Sequence, residues 1–539
     1  MTAHSEWWKK AVFYQIYPRS FKDTTGSGIG DLAGITQNIP YLAEMLGVDA
    51  IWISPFFPSP MKDFGYDVAN YRDIDPIFGS LEDFDQLLET IHKANLKLII
   101  DLVPNHSSDQ HPWFQESRSS RDNPKRDWYV WEDPKADGSP PNNWLSVFGG
   151  EAWEWDQVTE QYYLHSFLKE QPDLNWRNPR VQEAIFDEVR FWLERGVDGF
   201  RIDVAHYLMK DPALRDNPLN VSGAKFIHKS LGEYDTQVHL YDKGHPDIHQ
   251  VYRDFRKLLD DYSSDQPRMS MGEIHIFDID EWATYYGEDL DEIHFPLNFS
   301  LLGVEWEADS IRKVVEDLES GLPPGAWPNY VLANHDDQRI TSRYGVENER
   351  SAAMLLLTLR GTPILYYGDE IGMKDVDIPP DLCLDPAGIR QEGQGRDPNR
   401  TPMQWSADIW AGFSPPHAKN TWLPIADDFQ EKNVIKQLND PDSLLSYYQK
   451  LIRLRKKHSA LQTGEYQSLP DAPDGCYFYT RQNDEEKLLI GINFTDHKKK
   501  FENNLLKGGS LLLSSHKNRD GYLAAPFELH PNESILVLL

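Results

Sequence analysis

The chain has 539 residues, 40% apolar and 12% aromatic, enough to bury one large core and leave residues for a smaller domain. Its 86 Asp and Glu outnumber 54 Lys and Arg, and the resulting net charge of −32 repels phosphate and anionic lipid. Nucleic acid and membrane are therefore not expected partners and a neutral ligand is; Cys383 and Cys476 are too few for a disulfide framework.

The N-terminal segment MTAHSEWWKKAVFYQ has no uninterrupted apolar stretch and no small-residue cleavage site, and no run elsewhere approaches the roughly 18 apolar residues of a membrane helix. A cytoplasmic protein is expected. Apolar runs of strand length then follow in order. VFYQIYPRSF, VDAIWISPFF and LKLIIDLVPNH come first, with the amphipathic stretch LEDFDQLLETIHKAN between the second and third. Residues 107–176 are rich in Trp, Tyr, Phe, Pro and Asp and read as a small inserted domain. The helical stretch NPRVQEAIFDEVRFWLERG leads into GVDGFRID, MSMGEIH, IHFPLNFSLL and YVLANHD, and ERSAAMLLLTLRG precedes PILYYGDE. Eight βα units predict an α/β chain folded as a (β/α)8 TIM barrel, its first part over 1–106 and its second over 177–457. Within the second part, residues 373–422 read as a long loop over the barrel's C-terminal face. Beyond the helix SLLSYYQKLIRLRKKH, the runs GCYFYTRQ, KLLIGINF, SLLLSS and ESILVLL predict a C-terminal antiparallel β-sandwich over 458–539.

Acidic and basic residues stand where these strands end. The third run ends in Asp101, Asn105 and His106, the fourth in Arg201 and Asp203, the fifth in Glu273 and the seventh in His335 and Asp336. Barrel enzymes draw their active sites from these positions. Cleaving an acetal needs one carboxyl group at the anomeric carbon and another to protonate the leaving oxygen. Arg201, two residues before Asp203, shares its strand face and is expected to keep that carboxylate ionised and aimed. Glu273 then carries the proton.

In this order the set resembles the α-amylase superfamily of glycoside hydrolases (family 13), from the first strand through the C-terminal sandwich. The resemblance implies a retaining mechanism, with Asp203 as nucleophile, Glu273 as general acid and then base, and Asp336 clamping the sugar hydroxyls. Arg201, His106 and His335 would bind the same glucose. QPDLNW (Gln171 to Trp176), FGYDV, YYLHSF and GRDPNRTPMQW are similar to the oligo-1,6-glucosidase and α-glucosidase branch. That branch implies exo action on small neutral α-glucosides: Asp63 and Arg396 match a pair that grips the terminal 4-hydroxyl and closes the pocket, with Arg400 a rival for the second place. Tyr66 matches a stacking platform, and Phe167 and Gln171 match residues flanking the pocket. Val204, after the nucleophile, matches the position that sorts linkages, where Val accompanies α-1,6 preference; Val is also what a barrel strand prefers, so α-1,4, α-1,6 and sucrose all stay open. Some transglucosylation is expected.

The chain departs from the branch after the first strand. An acidic loop that holds calcium in the pattern D-x-N-x-D-x-I-x-D is here Asp23, Thr25, Ser27, Ile29 and Asp31, with hydroxyls replacing a carboxylate and an amide. A Ca2+ or other cation there would be weakly held, and no other cofactor is implied. A sucrose- or maltose-active glucosyltransferase or isomerase is the alternative in the same family, although no arginine-rich RLDR-type loop follows NHDDQR. A non-catalytic binding homologue would need a broken acidic triad and a membrane helix, and the sequence has neither.

Overall fold

The structure is a computed structural model describing residues 6–223, 229–264, 266–391, 393–502, 508–517, 519 and 521–539; residues 1–5 of the N-terminal segment read above lie outside them. Eight parallel strands form one sheet: Phe13–Ile16, Ala50–Ile53, Lys97–Leu102, Gly199–Ile202, Met269–Glu273, Phe295–Leu297, Asn329–Val331 and Thr362–Tyr366. The first six lie inside their apolar runs, and the seventh and eighth begin one residue before theirs, at Asn329 and Thr362. The first strand pairs with both the second and the eighth, and the sheet's free edges, the sixth and seventh, come together as a nearly closed barrel. A side chain joins that seam: Asn329 accepts from the Asn298 N–H at 3.0 Å and donates to the Pro296 carbonyl at 2.7 Å.

The strands are apolar at most positions because both faces of each are buried. Phe13, Trp52, Ile99, Met271 and Phe295 fill the barrel interior, whereas Tyr14, Ile51, Leu98, Phe200 and Leu365 pack outward on the helices. The helices begin and end where local chemistry requires. Ser80 and Asp83 form a reciprocal capping box at the start of Leu81–Lys93, and Asn178 caps Pro179–Arg195, which stops at Gly196 in the left-handed region.

Between the third and fourth strands the chain leaves the barrel and returns beside its point of departure, since His106 and Asp173 form an antiparallel bridge. In between lie the helix Pro112–Ser119 and a three-stranded antiparallel sheet of Trp131–Glu132, Trp153–Asp156 and Gln161–Leu164. At the C-terminal end a six-stranded sheet faces a two-stranded one. Cys476 and Phe478 point toward the small sheet, where Phe478 stacks on Phe501 at 4.3 Å, while Tyr477 and Tyr479 face the barrel, so this strand is apolar on both sides too. No helix among the described residues is long and apolar enough to cross a membrane.

Candidate active site

Strand register brings the acids together. Asp101 on the third strand lies opposite Arg201 on the fourth, and Ile202 lies opposite Gly272 on the fifth, so Asp203 and Glu273 leave adjacent strands at one level. Arg201 bridges all three carboxylates. Its Nη1 is 2.8 Å from both Asp101 Oδ1 and Asp203 Oδ1, and its Nη2 is 2.7 Å from Glu273 Oε2. Asp203 and Glu273 line a cavity at the strands' C-terminal ends; Arg201, only 1% exposed, lies behind them and does not reach it. Its contacts are with the carboxylates, where the sequence was read as giving it a sugar contact.

The charge balance differs from the expectation as well. Burial pushes Asp203 well above the usual carboxylate range, Arg201 opposing it and Glu273 and Asp101 adding to it. Burial likewise raises Asp101, to about 7. For Glu273 burial is outweighed by Arg201 and then His275, which hold it below its ordinary value. One guanidinium is shared among three buried carboxylates, so it aims Asp203 while its charge is divided among them.

Val204 is not a strand residue. The fourth strand ends at Ile202, and Val204 has φ 37° and ψ 49°, a left-handed conformation that costs a β-branched residue about 1–3 kcal/mol. That turn directs its N–H at Glu273 Oε2, 2.9 Å away, while its side chain lines the cavity.

Asp336 faces the cavity from the seventh strand's end. Arg400 Nη2 at 2.8 Å, Arg396 Nη1 at 3.2 Å and His335 Nε2 at 3.2 Å surround it. Burial works against its ionisation, and His335, Arg396 and Arg400 outweigh that and hold it well below the usual range. The two loop arginines have different places: Arg396 Nη2 pairs with Asp63 at 2.7 Å and with Asp385 at 2.6 Å and lines the cavity, whereas Arg400 donates to the His335 carbonyl and stays buried behind Asp336. Tyr66 lies parallel to His335, its hydroxyl 2.6 Å from Nε2. Burial keeps both histidines neutral, lowering His335 to about 3 and His106 to about 4. Phe167 lines the cavity against Phe148 and Tyr207, but Gln171 does not. Fully buried, Gln171 sits behind the wall, its Nε2 3.2 Å from Asp63 and 3.1 Å from His106, so it positions both side chains rather than flanking the pocket.

The structure adds residues that sequence reading left without a role. His275 follows Glu273 by two and contacts it; its signal, a histidine inside the run MSMGEIH, was visible. Tyr207, Tyr234 and Lys243 also line the cavity, with Lys243 Nζ 3.2 and 3.1 Å from the two hydroxyls. Two of these come from a long segment with no periodicity to mark them.

The loop of Asp23, Thr25, Ser27, Ile29 and Asp31 does not fit a cation. Asp23 already accepts from the N–H groups of Thr25, Gly26 and Gly28 and from the hydroxyls of Thr25 and Ser414. Asp31 caps the helix Leu32–Gln37 and accepts from Thr24, while the Ser27 hydroxyl donates to the Ile29 carbonyl, the oxygen a metal would need. The two hydroxyls act as donors inside the loop. Among the described residues no group of three or more His, Cys, Asp and Glu is arranged to hold a metal ion.

Comparison with known proteins places this constellation. Residues 15–464 match the family model for the α-amylase catalytic domain. The chain is 44% identical over 503 residues to a probable α-glucosidase of Rhizobium meliloti (strain 1021), covering 91% of this chain and 90% of that one. It is 40% identical over 541 residues to an oligo-1,6-glucosidase of Heyndrickxia coagulans, covering 92% and 94%. A solved α-glucosyl transfer enzyme superposes with a TM-score of 0.91 at 39% identity over 99% of both chains. The chain belongs to the α-amylase family of glycoside hydrolases. It is an enzyme of carbohydrate metabolism, a glycosidase.

Proposed function

We propose that the protein is a retaining, exo-acting α-glucosidase that removes terminal α-glucosyl units from short oligosaccharides and disaccharides. The observation that carries this reading is the Arg396–Asp63 ion pair at 2.7 Å, buttressed by Asp385 at 2.6 Å. It stands beside Asp336, in the space a further sugar on the non-reducing side would need. A site walled there accepts one glucosyl ring and leaves only the aglycone side open.

Asp203 is read as the nucleophile, Glu273 as the acid and then base, and Asp336 as the group that holds the ring hydroxyls, with His106, His335 and Tyr66 around the same ring. Retaining enzymes hold their two carboxyl groups about 5–5.5 Å apart, whereas inverting ones leave room for a water between them. Two carboxylates on neighbouring nitrogens of one guanidinium support the closer spacing. The reaction needs Asp203 ionised and the proton on Glu273. With the proton on Glu273 before the bond breaks, Glu273 gives it to the leaving oxygen as an Asp203 oxygen bonds to C1.

Small neutral glucosides suit the net charge of −32, no cofactor is required, and a cytoplasmic location fits such substrates. Linkage is decided where Val204, Phe167 and Tyr207 pack together at the aglycone side. A second reading, a sucrose- or maltose-active glucosyltransferase or isomerase, is favoured by the similarity to an α-glucosyl transfer enzyme. Initial products from maltose, isomaltose and sucrose separate the two. Free glucose as the main product supports the glucosidase, and isomeric or lengthened sugars as main products support the transferase; from sucrose, whose other product is fructose, NMR should show glucose released first as the α-anomer, and β-glucose released first contradicts retention.

A further inference from the structure

We propose that His275 is a positioning residue for the proton-carrying carboxylate: its Nε2–H holds Glu273 Oε1 and sets the pH above which the glycosidic oxygen is no longer protonated. This rests on the reading of Glu273 as general acid. Glu273 Oε2 is taken by two donors, Arg201 Nη2 at 2.7 Å and the Val204 N–H at 2.9 Å. Oε1 is left to serve a leaving group, and His275 Nε2 lies 3.0 Å from it. The imidazole is fixed in plane by Phe299, whose ring is 4.7 Å away at 18°. His275 lines the cavity, and its Nδ1 is buried with no hydrogen-bond partner among the described residues. A carboxylate facing Nε2 and nothing facing Nδ1 place the ring proton on Nε2.

A donor on Oε1 stabilises the carboxylate more than the acid. In the first half-reaction the proton leaves Oε1 for the aglycone oxygen as the C1–O bond breaks and an Asp203 oxygen bonds to C1. In the second, water returns a proton to Oε1 as its oxygen bonds to C1 and Asp203 departs. His275 neither gains nor loses a proton; it lowers the cost of the charged form between the halves. The other charged or titratable groups facing Glu273 are Arg201, Asp203, Asp101, Asp336 and His335, with His206 Nδ1 3.4 Å from its backbone carbonyl. His206 also faces the His275 ring at 6.2 Å, with Lys243 beyond it. All stay in place when His275 alone is changed.

The test is the pH profile of kcat/KM for His275→Phe, which keeps a ring on Phe299 and removes the donor. The basic limb, which reports the acid, is expected to move to higher pH by roughly one unit. The kcat for maltose is expected to fall several-fold more than that for a p-nitrophenyl α-glucoside, whose leaving group needs little protonation. His275→Gln, with an amide donor, is expected to bring the limb back toward the wild type. Should His275→Phe not fold, His275→Met removes the donor in the same way. A limb that stays in place in the donor-less variant, with equal losses on both substrates, overturns the proposal. Glu273→Gln measured alongside separates the two claims: if it still cleaves maltose at the wild-type rate, the assignment of the acid fails, whatever His275 does.

Discussion

Asp203 and Glu273 meet because two short strands share a register and one arginine spans their ends, so the site depends on backbone pairing as much as on the acids themselves. Replacing either acid leaves that pairing intact and removes one chemical role. Asp203→Asn or Glu273→Gln is therefore expected to lower kcat by roughly a thousand-fold or more, checked by steady-state kinetics on maltose with the circular dichroism spectrum unchanged. The acids were legible in the sequence because each ends an apolar run, where a carboxylate has no place in a core. Val204 was not. A sequence displays a side chain's preference for a strand but not a φ of 37°, and the left-handed turn that aims its N–H at Glu273 follows from the chain leaving the barrel there. Arg396 was matched to Asp63 with Arg400, four residues on in the same loop, as its rival, and in the fold it is Arg396 that reaches Asp63 while Arg400 pairs with Asp336.

At the scale of elements, the barrel strands and the longer helices were readable because burial on both faces makes the strands largely apolar, while capping residues mark the helix ends. The segment between the third and fourth strands was readable only as an excursion. Its return as a bridge from Asp173 to His106, with Gln171 supporting Asp63 and His106 from behind, depends on contacts between residues far apart in the chain. One helix of this segment gives a pH-dependent test. His111 Nδ1 accepts from the Trp113 N–H and caps Pro112–Ser119, and burial, helped by Lys125, lowers it from 6.5 to about 3. The unfolded chain therefore takes up a proton near pH 6.5 that the folded chain refuses, and stability present above that value is lost as pH falls toward 3. His111→Asn keeps a capping oxygen that does not titrate. Relative to the wild type, its Tm is expected to improve between pH 7 and about 4.5, by the equivalent of about 2 kcal/mol; a constant difference across that range would contradict the assignment.

The whole molecule combines a strongly acidic surface with a loop whose carboxylates are held by the protein's own donors. In that loop burial raises Asp23, and the hydrogen bonds from Ser414, Gly28, Gly26 and Thr25 outweigh it, leaving the carboxylate below its ordinary value without a metal. At fixed ionic strength, which a charge of −32 makes necessary, a chelator is expected to leave Tm and kcat unchanged; a fall in Tm reversed by calcium would show that the loop takes a cation after all. The larger claim is that the cavity takes one terminal glucosyl ring, because Arg396 and Asp63 close it beside Asp336. The initial products of maltotetraose cleavage test this most directly. Glucose and maltotriose in equal amounts are predicted, and maltose appearing first, from a cut inside the chain, would contradict it.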